Sequence, residues 1–440
     1  MKNTISLIFL LMASCSSVTN FLGDIEHGPK LKGERISLAK LDQSITPDKI
    51  LEQVKVTVPT QEDNIIWPIS NGSKYLFPSN IALPAKLSNY KEYKVAGTRE
   101  MSKYLTATPI IADGKIFIMN GSGGLIAYDA ASMKKLWSKN TAPLDEKEES
   151  VGGGMSYDQG TLYITAGHRD VIAINAENGK EIWRYSLNNI VRSAPIFYDN
   201  KLFVMSIDNK LYALSSSQGS LLWMHEGAFE TIGTFGASSL AISNDIILLP
   251  HSSGQLHALD TGSGKELWSV NLSYNRSSLA GFSFTDIDVP PVIDEGKIYI
   301  AGNMGLLYSI DLQSGRMLWQ REIKGIKSIW AAGNFLYLID ANKELLCIHN
   351  KDGMIKWVVP LQSYLETGHH LRIKANVTGP IMAGDSLLLV TSNGKLLSFS
   401  PYDGTLIEEK KVPLNIKLLP AIASGKIYLL SNNGVLAIWQ

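Results

Sequence analysis

Past residue 100 the chain alternates short apolar runs with breaks rich in glycine, asparagine and aspartate, a period-two pattern that predicts strands joined by tight turns. Lys115-Ile116-Phe117-Ile118-Met119 leads through residues 121–124 into Leu125-Ile126-Ala127-Tyr128-Asp129. Lys297-Ile298-Tyr299-Ile300-Ala301 leads in the same way into Leu306-Leu307-Tyr308-Ser309-Ile310-Asp311. Each pair reads as a hairpin. The pattern also repeats at long range. Ala258-Leu259-Asp260-Thr261-Gly262-Ser263-Gly264-Lys265-Glu266-Leu267-Trp268 is the clearest copy of a unit seen again over residues 173–183. Gly-x-x-x-Trp recurs at Gly179/Trp183, Gly219/Trp223, Gly264/Trp268, Gly315/Trp319 and Gly353/Trp357. Met133 replaces the glycine before Trp137, and Glu408 stands where a tryptophan is due after Gly404. Positions 137, 183, 223, 268, 319, 357 and 408 are 38 to 51 residues apart. That is the spacing of a four-stranded propeller blade, wider than the roughly 33- to 34-residue units of helical solenoids.

Innermost strands begin near residues 108, 154, 194, 239, 290, 328, 379 and 420, which makes eight sets. The last set runs to Val435-Leu436-Ala437-Ile438 and has no outer strand, while Asn64-Ile65-Ile66-Trp67 is strand-like and has no unit before it. The expected architecture is all-β: an eight-bladed β-propeller of four-stranded antiparallel blades over residues 61–440, closed by an N-terminal strand carrying Trp67 that completes the last blade. Closure removes two sheet edges that would otherwise pair with other chains. Trp67, Trp137, Trp183, Trp223, Trp268, Trp319 and Trp357 are the repeat tryptophans, each expected to bury an indole between blades for on the order of 2–3 kcal/mol. The longest irregular connections are 69–103, 138–152, 269–288 and 359–377.

Composition narrows the function. Four hundred and forty residues exceed one ordinary core but suit a repeat ring. Forty-one basic and 41 acidic residues cancel, so the chain carries no electrostatic footprint for nucleic acid or an anionic membrane surface. A hydrophobic content of 45% excludes disorder. Two distant cysteines exclude a disulfide scaffold, a zinc ribbon and an iron–sulfur cluster. Cys347, within Leu345-Leu346-Cys347-Ile348, reads as a buried core thiol.

The first residues form an address. Lys2, the apolar stretch Ile5 to Met12 and the small residues Ala13-Ser14 before Cys15 describe a signal peptide over 1–14 that is too short to span a bilayer. Ordinary cleavage leaves Cys15 incidental. Alternatively, Leu11-Met12-Ala13-Ser14-Cys15 resembles the bacterial lipobox, which would make Cys15 a lipidated anchor, with Ser16 resembling the outer-membrane sorting pattern. Residues 15–60, broken by Gly28-Pro29, Gly33, Pro47 and Pro59, read as a tether with one short helix near residues 48–54.

The Ala-x-Asp-x-x-x-Gly-Lys-x-x-Trp unit resembles the tryptophan-docking repeat of eight-bladed quinoprotein-like propellers. Within them the chain is similar to the BamB lipoproteins of the outer-membrane β-barrel assembly machinery. The lipobox, Gly33-Glu34-Arg35-Ile36-Ser37-Leu38 with the later Trp67-Pro68, and Asp286-Ile287-Asp288-Val289-Pro290-Pro291-Val292 carry the narrower likeness. The resemblance implies a non-catalytic scaffold without a cofactor, lipid-anchored at the outer membrane and facing the periplasm. It would bind the periplasmic domains of BamA and assist folding and insertion of barrel proteins; nascent barrel strands are a further implied partner, through β-augmentation. It also implies partner contacts at Val191 and Arg192, in Val191-Arg192-Ser193-Ala194-Pro195, and at Asp286 and Asp288. An exposed inter-blade role for Arg192, and loop hydrogen bonding or an ion pair with Arg192 for the two aspartates, stand beside that reading.

The competing class is a periplasmic quinone (PQQ)-dependent dehydrogenase. The chain has neither adjacent cysteines nor a Cys-x-x-Cys-His haem motif, and two carboxylates at Asp286 and Asp288 fall short of the six or more oxygens Ca²⁺ takes. Gly262-Ser263-Gly264-Lys265 lacks the spacing of a phosphate loop and is one copy of a turn found throughout the repeat. His369-His370 lies in a polar loop, and His251 and His257 flank a hairpin turn; all four read as solvated or structural side chains rather than ligands.

Overall fold

The computed structural model describes residues 45–70, 77, 79–95, 107–120, 123–141, 152–191, 193–227, 240–251, 253–272, 290–302, 305–366 and 375–440. Eight four-stranded antiparallel sheets follow one another along the chain. Blades 1 to 7 occupy residues 110–140, 154–186, 196–226, 241–271, 292–322, 329–360 and 377–411, with strands A to D in chain order from the hub outward. A strands touch between blades 1 and 2, 2 and 3, 4 and 5, 5 and 6, 6 and 7, and 8 and 1, and the Trp223–Gly264 dock joins blade 3 to blade 4 in a closed ring. Strands B and C are apolar on both faces because each blade is covered by its neighbours.

The repeat tryptophans work as expected from 137 to 357. Each indole lies on the positive-φ glycine of the C–D turn in the next blade: Trp137 on Gly179, Trp183 on Gly219, Trp223 on Gly264, Trp268 on Gly315, Trp319 on Gly353 and Trp357 on Gly404. A Cβ at Gly264 would stand 2.5 Å from the Trp223 ring, so only glycine satisfies both the turn and the close approach. The same indoles donate from Nε1 to the next blade, to the carbonyls of Ala176, Ser216, Thr261, Leu312, Asn350 and Pro401 at 2.8–3.2 Å. The phosphate-loop look-alike is such a turn: Asp260 Oδ1 accepts from the Ser263 amide at 2.7 Å and from its hydroxyl at 2.6 Å.

Blade 8 comprises Ala421–Ala423, Lys426–Leu430 and Val435–Trp439, and its outer strand does come from the N-terminal side of the ring. That strand is not the one carrying Trp67. Tyr90–Lys94, within the stretch expected to be irregular, pairs antiparallel with Val435–Trp439, Tyr93 lying opposite Leu436. Trp67 sits at the hub instead. Its amide donates to the Ile111 carbonyl at 2.7 Å and its carbonyl accepts from the Ile111 amide at 3.1 Å, on the edge of strand A that faces away from strand B. Its ring is buried and stacks on Phe77 with centroids 3.9 Å apart.

The described residues between 48 and 82 thus form a strap, and the part before residue 60 is packed on the ring where a tether was expected. The expected short helix is a 3₁₀ turn, Lys49–Gln53. Asp48 accepts from the Ile355 amide at 2.7 Å and pairs with Arg321 at 3.0 Å, joining the rims of blades 6 and 5. Thr57 bonds Asn334 in blade 6, Gln61 and Asn80 bond Asp385 in blade 7, and Asn64 bonds the Ile422 carbonyl in blade 8. Trp67 then reaches blade 1 and Ile69 blade 2. Ile69, Phe77 and Ile81 join Trp67 in the largest apolar cluster. Asp385→Ala removes the acceptor of Gln61 and one of the two acceptors of Asn80, whose amide keeps only the Pro59 carbonyl; we expect a loss of about 1–2 kcal/mol, and limited proteolysis should cut the strap faster than in the parent protein.

Candidate docking face

In an up-and-down sheet the A–B and C–D turns share one end, and the B–C turns share the other with the connections between blades. The strap touches A–B turns: Asn334, Asp385 and Ser424 all lie there. The opposite end, carrying B–C turns and inter-blade connections, is the face on which a partner has access to blades 6, 7 and 8.

Val191 lies on a connection at that end, between blades 2 and 3, but its side chain does not face outward. It is fully buried among Tyr163, Leu187, Val204 and Tyr212, and its amide donates to the His168 carbonyl at 2.9 Å. Its expected role as a direct contact is therefore corrected: an apolar side chain in this wedge gains more from the core than from solvent, and it anchors the connection. Beyond it, the Thr165 hydroxyl donates to the Ser193 carbonyl at 2.6 Å. Arg192, Asp286 and Asp288 lie outside the described residues, as do Cys15 and the pair His369-His370.

On the same end, three connections converge on a cavity of about 260 Å³ lined by Lys327, Ser328, Asp340, Lys343, Thr378 and Lys417, among others. Lys327 and Lys417 are exposed and Lys343 is half-buried. Among the described residues none of the three ammonium groups has a carboxylate within 4 Å. Burial, then the neighbouring Lys327 charge, holds the Lys343 pKa below the ordinary lysine value, while Asp340 opposes the shift. Asp340 is itself buried, which raises its pKa, and its Oδ1 accepts from the Glu344 amide at 2.8 Å, so it braces the turn that presents Lys343. The cleft is a cationic recess suited to carboxylates on a partner surface. Sequence spacing could not reveal it, because residues 327, 343 and 417 meet only when blades 6, 7 and 8 stand side by side.

The outer rim offers a different surface. Leu136, Ile182, Leu222, Leu267, Leu318 and Ile407, the residues just before Trp137, Trp183, Trp223, Trp268, Trp319 and Glu408, are all exposed. They place an apolar belt on strands whose outer edges carry unpaired backbone groups.

Comparison with known proteins follows this geometry. The model of the family described as outer membrane protein assembly factor BamB matches residues 134–359, just over half of the chain. An uncharacterized protein of Rickettsia prowazekii is 27% identical over 390 residues, 87% of this chain and 89% of its own length. The outer membrane protein assembly factor BamB of Escherichia coli is 24% identical over 336 residues, 75% of this chain and 83% of its own. Among solved structures, BamB from Moraxella catarrhalis superposes with a TM-score of 0.64 at 17% identity, covering 81% of this chain and 99% of that one. The quinohemoprotein alcohol dehydrogenase of Comamonas testosteroni gives 0.62 at 13% identity, covering 82% and 78%, a likeness of fold alone.

Proposed function

The chain belongs to the BamB family of outer membrane protein assembly factors, and from that premise we propose that it is a non-catalytic scaffold of the barrel-assembly complex. It holds the periplasmic domains of BamA against the face opposite the strap and so assists folding and insertion of outer-membrane β-barrels. Anchorage through a lipidated Cys15, with the propeller in the periplasm, belongs to the same reading. The observation that carries it is the division of the two faces: the strap is bonded across A–B turns from blade 6 to blade 1, and the cationic cleft opens at the other end. Rigid blades carry function on such connections.

Reversing two charges, Lys343→Glu with Lys417→Glu, is expected to weaken co-purification with BamA about tenfold or more while the denaturation midpoint stays in place, as for hot-spot charges at an interface. Arg192→Ala should act in the same direction. Normal recovery of the complex by the charge-reversed protein would move the docking site away from this cleft.

The apolar belt favours a second role, transient pairing of extended barrel strands with the blade rims by β-augmentation. The quinone-dependent dehydrogenase reading finds less support. A planar cofactor in the hub would compete with Trp67, Phe77, Ile69 and Ile81, which fill its strap end.

A further inference from the structure

Between blades 3 and 4 ligating side chains face one another across the junction. The position two past one repeat tryptophan meets the position two before the next here and at the junction of blades 1 and 2. At the junction of blades 1 and 2 these are Lys139 and Glu181, an ion pair at 3.2 Å. At the junction of blades 3 and 4 they are His225 and Glu266, and His257 joins them from strand C of blade 4. One ligating atom from each of His225, His257 and Glu266 lies within 4.8 Å of the others. We propose that these three side chains form a binding site for a divalent transition-metal ion, of the class of Zn²⁺ or Co²⁺, that rivets blade 3 to blade 4.

The chemistry fits. Two imidazoles and one carboxylate form a borderline donor set that takes Zn²⁺ in preference to Ca²⁺ or Mg²⁺, which want oxygen ligands. His257 Nδ1 lies 2.7 Å from Glu266 Oε2, and its Nε2 lies 3.4 Å from Gln255 Oε1, so the ring is already oriented by polar groups on both sides. Glu266 is exposed and gives the ion a route in.

A second observation points to the same place. His251 is fully buried, stacks on His257 with centroids 4.5 Å apart, and has no hydrogen-bond partner among the described residues at either ring nitrogen. A Cβ on Gly227 would overlap the His251 ring, so the backbone after blade 3 is shaped around it. Three imidazoles and a carboxylate thus meet in the sector of the ring that the strap bonds do not reach. His251 and His257, which as sequence flank only a hairpin turn, meet Glu266 within their own blade and a third imidazole, His225, from the neighbouring one.

The test uses the full-length protein without an affinity tag, in a His369→Ala/His370→Ala background that removes the adjacent pair, freed of metal and titrated with Co²⁺ and then Zn²⁺. We expect one ion per chain, visible as Co²⁺ d–d bands displaced by Zn²⁺, and a rise in the melting temperature on loading. His257→Ala and Glu266→Gln should each weaken binding about tenfold or more and abolish the bands, with Glu266→Gln keeping the side-chain shape should His257→Ala fold poorly. Unchanged affinity in Glu266→Gln and His225→Ala, or no uptake at millimolar metal, overturns the site.

Discussion

Replacing Trp357 by alanine is expected to destabilise the propeller by about 3–5 kcal/mol, the range for removing a buried large aromatic side chain. Trp357 is 7% exposed and donates its indole proton to the Pro401 carbonyl at 3.1 Å, so the cavity comes with a lost inter-blade bond. Its dock is the last before the seam: the next outer strand has Glu408 at the tryptophan position, paired with Ser398. Gly404→Val should produce a similar loss from the other side, because a Cβ there would lie 2.5 Å from Val359 Cγ2 and 3.0 Å from the Trp357 ring, at a φ of +73°. The two changes combined should cost less than their sum, since both dismantle one contact. Denaturant midpoints measure this; a loss under about 1 kcal/mol for Trp357→Ala, the size of an ordinary surface effect, would mean that the docks follow the ring rather than hold it.

Putting proline at both Lys91 and Glu92 should open the ring at blade 8. Adjacent amides in a strand point to opposite sides, so one of the two must face Val435–Trp439, and proline donates from neither. We expect a drop in the denaturation midpoint together with concentration-dependent association in sedimentation, because the apolar strand Val435–Trp439 becomes an exposed edge. A monomeric protein with an unshifted midpoint would show that the seam does not need Tyr90–Lys94.

The ring was legible because its signal is redundant: six glycine–tryptophan docks repeat one geometry, and each copy supports the others. The closing strand was hidden because it looks unlike a strand. Tyr90-Lys91-Glu92-Tyr93-Lys94 has three charges in five residues, which suits a rim edge whose apolar partner is supplied by the far end of the chain. Trp67 misleads for the complementary reason. Its flanking run Ile65-Ile66-Trp67 looks like an outer strand, yet Pro68, which lacks an amide, argues against a regular strand, and only Trp67 of the three is buried while Ile65 stays exposed. The histidine cluster and the lysine cleft are separated along the chain and become neighbours only once the register between blades is known. The sequence around Val191 reads as a partner contact, because a sequence cannot tell an anchor beneath a loop from a contact upon it.

The pairing of Tyr93 with Leu436 also sets the order of events during biogenesis. In chain order Tyr90–Lys94 precedes every other strand of the ring and Val435–Trp439 follows them. The ring cannot shut until the last few residues have emerged, and the entropy of joining such distant segments opposes closure until then. Loss of strand Val435–Trp439 would leave an open arc rather than a slightly shorter circle.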